Sequence, residues 1–446
     1  MIRLAARQLP QQSGPAAWNA ILPPAPAATP LSGESTVDFV IVGAGFAGLS
    51  AARRLNQLDP SAKIAVLDAG PIAEGAAGRN SGFMIDLPHD LASEDYAGGG
   101  DDGAMIALNR QAIGFARNAV EDYGIDRNFF DEAGKVNGAA SAAAEAHNRS
   151  YAAHLKGLGE ISEEMDAQAM AEMTGSRHYR SGLYTPGTVM LQPAGYIRGL
   201  AAGLARRGVR IHASSPVERL TRLGRDWQVE TRRARVTAGR VILTVNGHLE
   251  SFGIARGRLM HIFLYAVMTP KLDAEATAAI GGQPRWGITP SDPMGTTLRR
   301  IDAFQGGDRI VTRTCATLRS GMTPRPSDLR RAAEIMQAKF DQRFPKLAGM
   351  KMAHCWAGHL CLSRNGVAVM RQIEDGLFAG CVQNGLGTAR GTLTGIGAAE
   401  LAYGVKSTIT RHFAAEAQPK RLPPRPIRDL GANAVLRWKE WRAAQE

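Results

Sequence analysis

An α/β fold, in which a central parallel sheet is interleaved with an α+β domain built on a mixed, largely antiparallel sheet, is predicted by three observations. Residues 37–68 read as strand, glycine loop, helix, strand and terminal acid. Apolar strand segments return near 241–245 and 377–381, each leading into a glycine-containing turn. Between these returns lie helical stripes and a block of strands beginning at His261.

In the first unit, Val37-Asp38-Phe39-Val40-Ile41-Val42 is the strand and Gly43-Ala44-Gly45-Phe46-Ala47-Gly48 the turn into a helix continuing through Leu49, Ala52, Leu55 and Leu58. Gly43 permits the tight turn, Gly45 lets the backbone approach a pyrophosphate, and Gly48 lets the helix pack on the strand. The phosphates would sit where Phe46 and Ala47 open the helix, at its free N–H groups and positive dipole end. Lys63–Leu67 is a buried-type strand running into Asp68 and Ala69. Asp68 lies 20 residues beyond Gly48 (68 minus 48), where a carboxylate can accept both ribose hydroxyls of an adenosine.

With 446 residues, 44% of them hydrophobic, the chain can bury a large core and is expected to form two intimately connected domains. No apolar run approaches the ~20 residues that span a bilayer, and residues 1–30 lack a contiguous apolar signal region, so a cytoplasmic location is expected. The four cysteines, Cys315, Cys355, Cys361 and Cys381, show no CxxC spacing; they read as buried thiols, with no metal site. The net charge of +12 is concentrated in residues 206–240 and 420–442. Because these charges are not interleaved with aromatics, they read as a solvated basic face, and no nucleic-acid partner is expected.

Residues 1–36 form a Pro-, Ala- and Gln-rich arm with one aromatic anchor, Trp18. Gly70 to Gly103 is a small-residue loop, and loops of that length inside compact domains are usually functional. Helical stripes follow at Met105, Leu108, Ala112, Phe115 and Ala119, and over 141–157. Tyr196, Leu200 and Leu204 mark a further helix, before strands at 209–213, 216–220, 227–231 and 241–245 end at Asn246-Gly247. His261 to Met268 starts a separate antiparallel sheet, continued by 296–302 and 309–314; Leu329 to Phe344 gives a helix. A nucleotide-binding domain is therefore expected from 37–90, 191–254 and 355–415, a substrate domain from 91–190 and 255–354, and a basic tail over 416–446. In that tail, Trp438 and Trp441 are expected to pack on the protein's own surface or on a second subunit; an amphipathic docking helix is the alternative.

Four stretches carry a family resemblance: Gly43 to Gly48 with Asp68; Gly78-Arg79-Asn80-Ser81-Gly82; Pro216-Val217 with Thr244-Val245-Asn246; and Trp356-Ala357-Gly358 through Asn365-Gly366 into Gly385–Gly395. With the order of segments, they make the chain resemble the D-amino-acid-oxidase-like flavoproteins, within them the branch of glycine, sarcosine and γ-glutamylputrescine oxidases. The resemblance implies a Rossmann-like FAD-binding domain and FAD as cofactor. It also implies oxidation of a small primary or secondary amine or amino acid to an imine, by hydride transfer to flavin N5 followed by hydrolysis. Besides the first glycine loop, Asp68 and Ala69, the cofactor-binding residues it implies are Arg79, Asn80, Ser81, Gly82, Val217, Asn246, Gly385, Leu386, Gly387 and Thr388. Ser81 stands where the family often has glycine, and Leu386-Gly387-Thr388-Ala389 where relatives commonly show Ser-Gly-His-Gly.

Candidates for the substrate pocket are His261, Tyr265, Arg299 and His359, with Arg364 nearby; Arg299 could grip a carboxylate or sulfonate bidentately. Arg299 and Arg300 must point to opposite faces of their strand, so only one can enter. Cys355 sits loosely where sarcosine oxidases attach FAD covalently, but a buried free thiol is the expected role. Oxygen is the expected electron acceptor. Alternatives are a taurine-dehydrogenase-like enzyme passing electrons to a cytochrome or quinone and, more remotely, a nucleic-acid-associated flavoprotein. Self-association is left open.

Overall fold

Strand Gly33–Val42 is buried from Phe39 to Val42, on both faces, which is why its sequence shows a continuous apolar run instead of alternation. In the computed structural model, which describes residues 2–25, 29–88, 93, 96–98, 100–444 and 446, it pairs in parallel with Ile64–Leu67 on one side and Ala234–Leu243 on the other. Arg210–His212 extends the parallel set beyond Ile64–Leu67. Ala234–Leu243 forks: its first half pairs with the antiparallel strand Asp226–Glu230, its second half in parallel with Leu377–Cys381. Arg219–Leu223 and the arm strand Arg3–Ala5 complete one edge, and Val369–Glu374 the other branch, of a nine-stranded sheet.

One face of this sheet is covered by helices Phe46–Leu58, Pro193–Arg206 and Ala389–Tyr403. The first and third pack closely: a Cβ on Gly395 would stand 2.1 Å from the Ala47 carbonyl oxygen, so only glycine permits this approach. The two helices therefore start side by side at one end of the sheet.

A second sheet has eight strands in the order His354–Ser363, Leu259–Met268, Arg309–Leu318, Thr297–Ile301, Trp286–Pro290, Lys135–Ala139, Ser181–Thr185 and Glu163–Asp166. Only the pairing of Trp286–Pro290 with Lys135–Ala139 is parallel. The segment from residue 355, expected in the nucleotide domain, first runs as the edge strand His354–Ser363 of this second sheet. Cys355 to Cys361 pair with residues 261–267, and the chain reaches the first sheet only at Val369. A three-stranded sheet, Phe83–Met84, Val189–Leu191 and Phe130–Asp131, was not expected, and its first strand lies in the segment expected as loop. Parts of the expected 70–103 loop, namely 89–92, 94–95 and 99, lie outside the described residues, as do residues 1, 26–28 and 445.

Strand Arg309–Leu318 loses its partner on one side after Arg313, where Thr297–Ile301 ends. The exposed edge is filled by side chains of helix Ile427–Arg442: Glu440 accepts from the Ala316 N–H at 2.8 Å, and Asn433 accepts from the Leu318 N–H at 3.0 Å. Leaving those amides unpaired beneath a helix would cost about 1–3 kcal/mol each. Among the described residues, no helix is long and apolar enough to cross a membrane.

Candidate active site

The ends of the parallel strands, the starts of the two paired helices and one end of the second sheet enclose a cleft of about 370 Å³. The glycines of the first loop are required for different reasons. Gly43 has φ +106°, and a Cβ there would meet the Thr244 carbonyl at 2.8 Å; at Gly48 it would stand 1.8 Å from the Gly43 carbonyl. Gly45 differs, because a Cβ there would have no protein atom nearer than Ala77 at 3.6 Å and would project into the cleft. Its smallness reserves room for a ligand.

Helix Phe46–Leu58 has Gly45 as N-cap, no capping side chain and no acid in its first turn; Ala389–Tyr403 likewise has no side-chain cap. Helices starting at Asp102, Ala142, Ala167, Pro193, Ala274 and Thr408 all carry such caps. The two that open on the cleft thus keep donors available for anionic groups. Asn246, which lines the cleft, has a buried Oδ1 without a partner. Asp68 accepts from the Ala44 N–H at 2.7 Å and the Gly70 N–H at 2.9 Å, while burial pushes its carboxyl above the ordinary range.

Among the expected cofactor residues, Gly43, Gly45, Phe46, Ala47, Asp68 and Ala69 line the cleft. So do Arg79, Asn80, Ser81, Val217, Asn246, Gly385 and Gly387, whereas Gly48, Gly82, Leu386 and Thr388 stand behind it. Thr388 instead donates to the Phe83 carbonyl at 2.7 Å, fixing the glycine turn on the three-stranded sheet.

Arg79 was expected to offer its charge to the cofactor. Its guanidinium is instead committed to backbone carbonyls: Glu74 at 2.7 Å, Ser13 at 3.1 Å, Gly14 at 2.6 Å and Ala357 at 3.4 Å. It staples the N-terminal arm to the cofactor loop and to the second sheet. Trp18 reinforces this by donating from Nε1 to the Asn80 carbonyl at 2.8 Å. Residues Gln8–Gln12 consequently form part of the cleft wall, a role not legible in the arm's composition.

Arg299 does not line the cleft. Its guanidinium lies over the rings of Trp18 and Phe83 and bonds the Leu191 carbonyl, with longer contacts to Ser81 and Gly82. Burial lowers its pKa to about 10. Arg300 points the other way, to the Gly281 carbonyl, so neither arginine enters the pocket and the expected anion grip at Arg299 is corrected. Besides Arg79, whose guanidinium is taken up by carbonyls, the arginine that lines the cleft is Arg313, one strand over, beside Val311, Leu264 and Ala266. Its Nη1 donates to Thr297 at 3.0 Å. Its spacing of two from Val311 was the available signal.

Tyr265 and His359 line the cleft. The Tyr265 hydroxyl bonds Thr317, and burial raises its pKa to about 12. His359 stacks on Phe263 with ring centroids 4.9 Å apart. His261 lies behind it, its Nδ1 3.2 Å from His359 Nε2 and its Nε2 2.8 Å from Glu250. With His261 donating to the carboxylate, its Nδ1 accepts from His359, which leaves Nδ1 of His359 as that ring's acceptor. His248, which the sequence did not single out, lines the cleft on the other side of His359 at 5.5 Å. Cys355 and Arg364 do not line it, so Cys355 is not placed for a covalent link.

Burial, reinforced by the neighbouring His261, lowers the pKa of His248 to about 4 and that of His359 well below its usual value. Both therefore bind protons more readily in the unfolded chain. Their contribution to stability is complete above about pH 6.5 and is lost as pH falls toward their folded-state values. Urea midpoints should fall already between about pH 6.5 and 5, with a slope of up to about 1.4 kcal/mol per pH unit for each proton taken up. His248→Asn should flatten that decline; an unchanged slope would contradict the assignment.

The comparisons agree with this geometry. Residues 38–401 match the family model described as FAD dependent oxidoreductase (DAO). A probable oxidoreductase OrdL of Rhizobium meliloti is 25% identical over 414 residues, 90% of this chain and 91% of that protein. Among solved structures, glycine oxidase from Geobacillus kaustophilus superposes with a TM-score of 0.69 at 15% identity, covering 87% of this chain and 100% of that one. Iminodiacetate oxidase from Chelativorans sp. BNC1 gives 0.65 at 16% identity, covering 83% of this chain and 96% of that one. These two likenesses are of fold. A cleft with an uncapped helix start, a glycine kept small for a ligand and a carboxylate at the second strand end fits FAD, and the chain belongs to the DAO family of FAD-dependent oxidoreductases.

Proposed function

We propose that the enzyme oxidises a small amine or amino acid with an anionic end to an imine, with oxygen as the electron acceptor. The observation that carries this reading is Arg313, a half-buried arginine that lines the FAD cleft beside Val311, Leu264 and Ala266 and whose pKa is lowered by desolvation. FAD, when bound, supplies N5 as the hydride acceptor. Arg313 would bind the substrate's carboxylate or sulfonate and so fix which carbon faces the flavin. Val311, Leu264 and Ala266 would exclude water, and desolvation there favours the unprotonated amine that the chemistry requires. His359, neutral through burial, would accept a hydrogen bond from the unprotonated amine at Nδ1 and so orient it; His261 and Glu250 behind it would orient the ring. Tyr265, fixed by Thr317, would limit the shape of the pocket. The released imine hydrolyses in water.

Anaerobic addition of a panel of amines and amino acids to the yellow protein tests this, through bleaching of flavin absorbance near ~450 nm. Anionic substrates should bleach it. Arg313→Ala should retain flavin but require roughly 10- to 100-fold more substrate, about 1.5–3 kcal/mol for a charge-assisted contact. Equal bleaching by wild type and variant across the panel would rule out Arg313 as the anchor. A second reading keeps the donor chemistry but passes electrons to a quinone or redox protein; the outward-facing C-terminal helix favours it. Hydrogen peroxide production in air separates the two.

A further inference from the structure

Helix Ile427–Arg442 is amphipathic in the reverse of the usual sense. Its polar side chains face the protein: Asn433 and Glu440 fill the strand edge, Asp429 accepts from Ser320 at 2.6 Å, and Glu440 also pairs with Arg331 at 2.5 Å. Only Ala432 and Leu436 add apolar contact inward. Its apolar side chains face outward instead. Ile427, Leu430, Val435, Trp438 and Trp441 are all exposed, Leu430 by 71% and Trp441 by 74%.

Positions 427, 430, 434, 438 and 441 recur at helical spacing and make one stripe about 21 Å long at ~1.5 Å per residue. A water-soluble helix exposing two tryptophans, a leucine and an isoleucine in one stripe marks an interaction surface. The expected packing of both tryptophans on the protein's own surface is thus corrected.

Charge indicates the occupant. The exposed charged residues of segment 417–446 are Lys420, Arg421, Arg425 and Arg442, all basic, whereas Asp429, Glu440 and Glu446 are drawn inward. Arg442 lies over the Trp438 ring at 5.0 Å. Pairing two copies through this stripe would bring like-charged rims together. The stripe is a convex ridge without pocket walls, which suits a fluid apolar layer, and indole rings beside guanidinium groups suit its boundary with water.

We propose that this helix docks the protein peripherally on an anionic lipid bilayer, with Trp438, Trp441, Leu430 and Ile427 entering the headgroup boundary and the basic rim facing the phosphates. The inference does not depend on which amine is oxidised. Leu264 and Leu360 line the flavin cleft and also belong to the apolar cluster that holds Ala432 and Leu436. The inward face of the helix therefore lies one side-chain layer from the cleft, and the docked face lies across the helix from it.

The test is sedimentation of the flavin-loaded protein with vesicles of phosphatidylcholine alone or mixed equally with phosphatidylglycerol, followed by tryptophan fluorescence. Binding to the mixed vesicles, a blue shift, and weakening by added salt are expected. W438S/W441S should reduce binding by at least about tenfold, and K420Q/R421Q should reduce the anionic preference. Both variants should keep their flavin and its bleaching by substrate. Absence of binding to mixed vesicles, or binding unaltered in W438S/W441S, would overturn the proposal. A stable dimer in gel filtration that W438S/W441S dissociates would overturn it too, by assigning the stripe to a second copy.

Discussion

Gly45→Val is expected to give a folded but colourless protein, whereas Gly48→Ala is expected to give little soluble protein at all. The contrast follows from where each added carbon would go. At Gly48 it would meet the backbone carbonyl of Gly43 at 1.8 Å, so strand end and helix start could not both keep their places. At Gly45 it would enter the space left for the cofactor, and the protein around it need not move. Overpacking of that kind, against a pyrophosphate that cannot yield, should cost ~3 kcal/mol or more, roughly 100-fold in affinity. Circular dichroism and titration with FAD check both arms. A yellow Gly45→Val protein would mean that the loop does not approach the phosphates.

The other large effect is expected at Arg79. Arg79→Ala strips a buried donor set from four carbonyls, those of Ser13, Gly14, Glu74 and Ala357. At about 1 kcal/mol or more for each acceptor left unsatisfied, the loss should reach at least about 4 kcal/mol. It should also free the arm, whose residues Gln8–Gln12 wall the cleft, so that FAD dissociates faster as well as binding more weakly. Arg79→Lys should restore little, since a single ammonium cannot span carbonyls arrayed around a planar fork. Flavin release after large dilution, monitored by the rise in fluorescence of free FAD, measures the off-rate. A rate equal to wild type in Arg79→Ala would show that the arm does not retain the cofactor.

What the sequence made legible was local. Gly43 to Gly48 and Asp68 belong to one continuous βαβ unit, so spacing alone indicated that Gly43, Gly45 and Asp68 share one strand end, where they line the cleft, and the family model covers the same region. The substrate side was harder because it depends on how distant strands cover each other. Thr297–Ile301 is buried at every position, so no alternation distinguishes the cleft side from the other. Arg299 is claimed by Trp18, from the opposite end of the chain, before any ligand can reach it. The strand Arg309–Leu318 also bulges, with Cys315 at φ 64° and a register shift opposite Leu264 and Tyr265, which breaks the period-two reading just where the cleft begins. Arg313 lies two residues before Cys315. The arm presented a different difficulty: its composition reads as an arm laid over the surface, and its place is set by distant segments, through strand Arg3–Ala5 on Arg219–Leu223, Trp18 on Asn80 and Arg299, and the Ser13 and Gly14 carbonyls on Arg79.

The manner in which Glu440 and Asn433 occupy the amides of Ala316 and Leu318 has a consequence for misfolding. Those two side chains stand where an additional strand would hydrogen-bond, so the helix acts as a plug against templated strand addition. Peeling it away would uncover an unpaired ladder edge and the leucines beneath it together. Because Leu264 and Leu360 of that layer also wall the cleft, the same opening would expose one side of the flavin site, and the first sign of damage would be chains adding to one another along the bared edge.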